Sequence, residues 1–118
     1  MKSYTDIEQS RKLAEILPLE TADMYYPNRI DIKYQGALPI EYKHGNPLLS
    51  QEIASWSLVA LLDILPFPQL SKDKLGSGKI GWMVSVFPDN CRSDSHWHKN
   101  PIDACYEMII NLKELKLL

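Results

Sequence analysis

The hydrophobic period of this chain changes four times, and that succession restricts its fold more than any other feature. Apolar residues recur at helical spacing over Ile7, Leu13, Ala14 and Leu17. They then fall at every second position over Ile30, Ile32 and Tyr34, and again over Leu38, Ile40 and Tyr42. Helical spacing returns over Ala54, Leu58, Leu61, Leu62 and Leu65. Alternation follows over Ile80, Trp82, Val84 and Val86, and helical spacing resumes over Ile102, Cys105, Ile109 and Leu112, with Met108 and Leu115 alongside. The predicted order is helix, hairpin, helix, hairpin, helix (α-ββ-α-ββ-α). Short turns between strands imply antiparallel pairing, and amphipathic helices imply a sheet covered on one face. The expected fold is therefore α+β: a two-layer sandwich, its antiparallel sheet built from two hairpins with helices on one face.

Local signals mark the boundaries. Thr5-Asp6-Ile7-Glu8 reads as a capping box opening a helix that stops before Pro18. Leu19 to Pro27 fits either a short extended segment or another helical turn. Gln35-Gly36-Ala37 turns the first hairpin, and Pro39, which cannot donate to a ladder, puts the second strand at a sheet edge. Ser50 and Ser55 are both acceptable caps for the second helix, which ends before Pro66. Ser71 to Gly78 reads as a polar loop. Lys79 to Phe87 forms a strand, with Arg92 to His98 returning as its partner after the Pro88-Asp89-Asn90-Cys91 turn. Asn100 caps the last helix, Pro101 takes its first position, and Asp103 lies near the positive end of its dipole.

A length of 118 residues sets the expectation of one domain, 1–118. The net charge is −2. Residues 1–59 carry six Lys/Arg against eight Asp/Glu, and 60–118 carry seven of each, so neither half is a general polyanion binder. The most apolar segment, Leu58 to Leu65, is far too short to span a membrane and is interrupted by Asp63. Two cysteines do not make a disulfide scaffold, and no apolar leader follows Met1-Lys2, so a reduced, cytoplasmic protein is expected.

The best candidate for chemistry is Arg92-Ser93-Asp94-Ser95-His96-Trp97-His98. In an extended strand, Asp94, His96 and His98 share one face at steps of about 7 Å, with Trp97 opposite in the core. Two imidazoles and a carboxylate so placed offer ligands to a divalent metal, while the plainer interpretation is the solvated face of a hairpin. Cys105 lies on an apolar stripe as a small hydrophobe, and Cys91 in its turn has no base fixed by spacing, so neither carries a nucleophilic set. Leu75-Gly76-Ser77-Gly78-Lys79 lacks the first glycine and the Ser/Thr of a phosphate loop and leads into a strand, so it is a flexible loop. Nucleic-acid binding would draw on Lys72, Lys74, Lys79 and Arg92, against the acidic balance.

Tyr25, Tyr26, Trp56 and Tyr106 are too many large aromatics to bury completely in so small a core, and exposed Tyr and Trp anchor protein interfaces. Three segments also carry a resemblance: Gln9-Ser10-Arg11-Lys12-Leu13 leading into Thr21-Ala22-Asp23-Met24, Trp56-Ser57-Leu58-Val59-Ala60-Leu61-Leu62 with Leu65-Pro66, and Pro101-Ile102-Asp103-Ala104-Cys105-Tyr106-Glu107-Met108-Ile109. This pattern resembles a family of small uncharacterised proteins of Bacteroidetes genomes, many carried by prophages and other mobile elements. The resemblance implies a bacterial cytoplasmic accessory protein and assigns no catalytic residue. It is weakest over Lys72 to His98, which counts against the Asp94/His96/His98 face as a family-wide site. The leading expectation is a non-enzymatic module, with no cofactor, that binds another protein. A metal-binding protein or metal-dependent enzyme using Asp94, His96 and His98 is the alternative, and nucleic-acid binding comes third. The leucines at 115, 117 and 118 either pack back on the domain or meet a second copy.

Overall fold

A computed structural model describes residues 2–27, 39–41 and 52–118. Its helices are α1 (Ile7–Ile16), α2 (Leu58–Ile64) and α3 (Pro101–Glu114). The strands are β1 (Met24–Tyr26), β2 (Ile40–Glu41), β3 (Ile53–Ser55), β4 (Gln69–Lys74), β5 (Ile80–Val86) and β6 (Ser93–Asp94). Short 3-10 turns occupy Leu19–Thr21 and Pro88–Asn90. The class is α+β, as the periodicity requires. Among the described residues the strands form two antiparallel three-stranded sheets in place of one, ordered β2-β1-β3 and β4-β5-β6. Most of the predicted hairpin over Arg29 to Lys43 lies outside the described residues. Its Ile40–Glu41 pairs with β1, at the edge of the first sheet among the described residues, and Ile40 is exposed rather than buried. The ambiguous Leu19–Pro27 segment contains both a helical turn and strand β1.

The capping box of α1 sits one residue later than predicted. Asp6 Oδ1 accepts from the Gln9 amide at 2.8 Å, and Gln9 Oε1 accepts from the Asp6 amide at 3.2 Å. A carboxylate suits the positive end of the helix dipole, and this frees Thr5 for a different task. Thr5 is buried and lies against β3: its amide donates to the Trp56 carbonyl at 2.9 Å, and its Oγ1 accepts from the Trp56 amide at 3.1 Å. Ser10 and Ser55 hydroxyls lie 2.8 and 3.1 Å from that Oγ1, and Tyr26 Oη donates to the Thr5 carbonyl at 2.7 Å. The buried side of α1 is thus Ser10, Leu13 and Leu17, while Ala14 is exposed.

The second helix starts later than either predicted cap, because Ile53–Ser55 pairs with β1 as β3. Ser57 is its N-cap, accepting from the Ala60 amide at 3.3 Å, and Asp23 holds Ser57 through both its amide and its hydroxyl. Beyond α2, Phe67 stands between Pro66 and Pro68 at φ +49°, a left-handed conformation unusual for an aromatic, with 81% of its surface exposed.

The first half of the stretch read as a polar loop, Ser71 to Lys74, belongs to strand β4, and Leu75 to Gly78 is the loop. Gln69 to Lys74 pairs with Ser85 to Ile80 along its whole length. The pairing is an edge one in which Leu70 is the single apolar residue, so no alternating hydrophobic pattern announces it. Lys72 lays its ammonium 5.1 Å from the Trp82 ring centre. Gly78, at φ +86°, closes the turn by donating its amide to the Leu75 carbonyl at 2.8 Å. On β5, Val84 and Val86 are fully buried while Ile80 is exposed at the far end of the same face.

The predicted α3 forms over Pro101–Glu114, but Leu115, expected beside its core stripe, is 64% exposed at the C-cap. Asn100 Oδ1 accepts from the Asp103 amide at 2.9 Å, Pro101 opens the helix, and Ile102, Cys105, Met108, Ile109 and Leu112 are all fully buried. They pack against β5 and α2, which joins the second sheet to the helical layer. Each such side chain contributes about 1.5–3 kcal/mol by leaving water.

Candidate functional site

Strand β6 and the chain that follows it decide the fate of the Asp94/His96/His98 set. Ser93 and Asp94 pair with Val86 and Ser85, but the next bridge joins His98 to Trp82. Regular continuation would place Trp97 opposite Trp82, so one extra residue is inserted between Asp94 and His98. This is a β-bulge. Ser95 shapes it: its amide donates to the Val84 carbonyl at 2.9 Å, while its hydroxyl takes the Val84 amide at 3.0 Å in place of a ladder carbonyl.

A slip of one residue exchanges the two faces of a strand. Asp94 therefore pairs on the Ser85 side, whereas His98 falls on the side of Trp82 and Val84 and faces α3. Trp97, expected in the core, is 40% exposed for the same reason. Asp94 is held by Arg92, whose Nε donates to it at 2.9 Å. The Ser85 hydroxyl and the Arg92 guanidinium keep its carboxyl below the usual range.

The two histidines meet a residue that spacing did not single out. His96 Nδ1 lies 2.8 Å and His98 Nε2 2.9 Å from the same oxygen, Glu107 Oε1, and the His96 amide donates to Glu107 Oε2 at 3.1 Å. Burial by itself would raise the Glu107 carboxyl. Hydrogen bonds from His98, His96 and the His96 amide outweigh that and hold it below its ordinary value. Glu107 lies on α3 between the buried Cys105 and Met108, and only the bulge brings the imidazoles to it. The arrangement is a clamp fastening the 95–98 segment to α3. Among the described residues, no group of three His, Cys, Asp or Glu side chains is placed to hold a metal ion. The predicted set is corrected accordingly: Asp94 belongs to the other face, and one ring nitrogen of each histidine is engaged with the same carboxylate oxygen.

Beside the clamp lies a cleft of about 470 Å³, bordered by Lys2, Gln9, His98, Asp103, Tyr106 and Glu107. Lys2 Nζ donates to Asp103 at 2.9 Å and to Asp6 at 3.0 Å, and Gln9 Nε2 donates to Asp103 at 2.8 Å. Burial works against the Asp103 carboxylate, but Lys2, Gln9 and Asn100 hold its carboxyl below the usual range. These polar groups serve one another and pin the segment before α1 to α3. Tyr106, one of the predicted interface residues, is half-buried at this cleft.

The other predicted anchors divide. Trp56 is fully buried, its indole Nε1 donating to Thr21 Oγ1 at 2.9 Å. Tyr26 is buried too, and burial, with Tyr4 and Asp6 nearby, pushes its phenol up to about 12. Both are corrected from surface anchors to core residues, since each polar tip finds a partner inside. Tyr25 is half-buried on β1. Cys105 is core as read, its thiol pushed up to about 12 by burial, and Cys91 is exposed. Lys72, Lys74 and Lys79 follow one another along the β4–β5 hairpin, while Arg92 is tied to Asp94.

A second, larger depression of about 750 Å³ opens between the end of α1, the Leu19–Thr21 turn and α2. Its apolar lining includes Ile16, Leu17, Ala22, Val59, Ile64 and Leu118. Val59 is 69% exposed although it stands in the most apolar run of the chain. The helical period explains this: α2 turns Ala60 and Leu61 inward and leaves Val59 on the outer side. Glu20, Asp23, Asp63 and Lys113 are the charged lining residues. No helix among the described residues is long and apolar enough to cross a membrane. No protein-family model matches the chain, and neither a curated protein nor a solved structure matches it.

Proposed function

We propose that this chain is a non-enzymatic accessory protein that acts by binding another protein, and that the groove between α1 and α2 is its contact surface. The observation that carries the reading is Val59, 69% exposed on an apolar wall formed with Ile16, Leu17, Ala22 and Ile64. A contiguous apolar depression left open to water is a common mark of an interaction site. Phe67 is more exposed, but it lies outside this groove. The polar cleft supports catalysis less well, because its polar side chains are hydrogen-bonded to one another in fixed pairs.

The unpaired cysteines, one exposed and one buried, support a reducing, cytoplasmic setting. An origin on a bacterial mobile element rests on the sequence resemblance alone. The test is site-specific photo-crosslinking in the natural host, with the reactive group at position 59 or, as a control, at position 79. The expected result is one discrete adduct from position 59 that a Lys79 probe does not give. Equal adducts from both positions, or none from position 59, overturn the reading.

A further inference from the structure

Glu20 and Asp63 are exposed at the groove and form no ion pair among the described residues, while Asp23 spends both its oxygens on Ser57. Lys113 is the one basic residue that lines the depression among the described residues. An apolar floor with unneutralised carboxylates at its margin selects by charge as well as by shape. Resting on the groove reading above, we infer that the occupant is a polypeptide segment whose apolar side chains are flanked by lysine or arginine. The apolar side chains fill the space over Val59, Ile64 and Leu17, and the cationic groups meet Glu20 and Asp63.

The same carboxylates disfavour other occupants. Anionic lipid headgroups and nucleic-acid phosphates would meet repulsion at this margin. A second copy of the chain would bring its own Glu20 and Asp63 to an isologous contact, setting like charges together. A volume near 750 Å³ is within the ordinary range for a cleft that holds a few side chains.

The probes are a short amphipathic leucine–lysine peptide and its counterpart with glutamate in place of lysine, followed by fluorescence anisotropy at low salt. The expected result is binding of the lysine peptide about tenfold or more tighter than the glutamate peptide, with the difference shrinking as salt rises. The double variant Glu20→Lys/Asp63→Lys should reverse the preference, and Val59→Asp should abolish binding of both peptides. Equal affinity for the two peptides, lost in Val59→Asp, keeps the groove and overturns the charge inference. Binding unaffected by Val59→Asp, or no binding of either peptide, overturns both. Concentration-dependent self-association in sedimentation, abolished by Val59→Asp, assigns the groove to a second copy and overturns the inference of a cationic segment. All three substituted positions are exposed, and an unchanged melting temperature confirms that the variants fold.

Discussion

The two halves of the molecule are held by different means. Where α3 meets β5 and α2 the contact is apolar: Ile102, Cys105, Met108, Ile109 and Leu112 are fully buried against Val84 and Val86. Where α1 meets β3 the centre is polar. Thr5, Ser10 and Ser55 are just as deeply buried, and they are joined through hydroxyls and main-chain groups to Trp56 and Tyr26. The first contact depends on volume and accepts apolar side chains that fill the space. The second depends on direction, since each donor must find its acceptor or a buried polar group is left alone.

The sharpest way to break the apolar half is Met108→Ala. Removing a fully buried side chain from the centre of α3 should cost about 2–5 kcal/mol, read as a lower urea midpoint with an unchanged slope. A loss under about 1 kcal/mol would mean that α3 closes over the gap and is less tightly packed than described.

The polar half is tested by Thr5→Val, which keeps the shape and deletes the hydroxyl. The expected loss is about 1–3 kcal/mol, because the Trp56 amide and two serine hydroxyls lose a shared partner. Replacing Ser10 and Ser55 by alanine in the same chain should recover part of that loss, which no volume effect would do. If the triple variant is instead additive in its losses, the two halves differ less than the structure implies.

The smallest effect concerns the clamp that ties the bulge to α3. Glu107 has a carboxyl held below its ordinary value, so the unfolded chain takes up its proton first as pH falls. Its stabilisation is fully present above the unfolded value near pH ~4.3 and is lost as pH falls through the folded value. Glu107→Gln should therefore lose less stability than the wild type between about pH 5 and pH 3, by about 1 kcal/mol or less. Parallel melting-temperature curves for the two proteins over that range would remove Glu107 from the acid response.

What the sequence reveals depends on whether the information is local. α3 is legible to its last buried residue, because Asn100, Pro101 and an unbroken apolar stripe lie side by side in the chain. The α1 box is misplaced by one residue because the alternative role of Thr5 is visible only when β3 lies beside it. β4 escapes a periodicity reading because its stability comes from pairing with β5 and from Lys72 over Trp82, with Leu70 its single apolar residue. The histidines are found, but their partner is not: the bulge shifts register by one, turning Asp94 away and bringing in Glu107 from another element. Val59 is overlooked because an apolar residue inside an apolar run looks like core until the helix is placed.

Thr5 also has a kinetic consequence. Its bonds to Ser55 and Trp56 join positions 50 and 51 residues apart, so none of them can form until that length of chain has closed. Loop closure over such a span costs about 3.5 kcal/mol of entropy, and the local turns of α3 and the β4–β5 hairpin carry no comparable cost. The hydroxyl cluster is therefore expected to assemble after the C-terminal hairpin and helix. In native-state hydrogen exchange the same ordering should run backwards, with the Thr5 and Trp56 amides opening in a cheaper, earlier unit than the amides of α3.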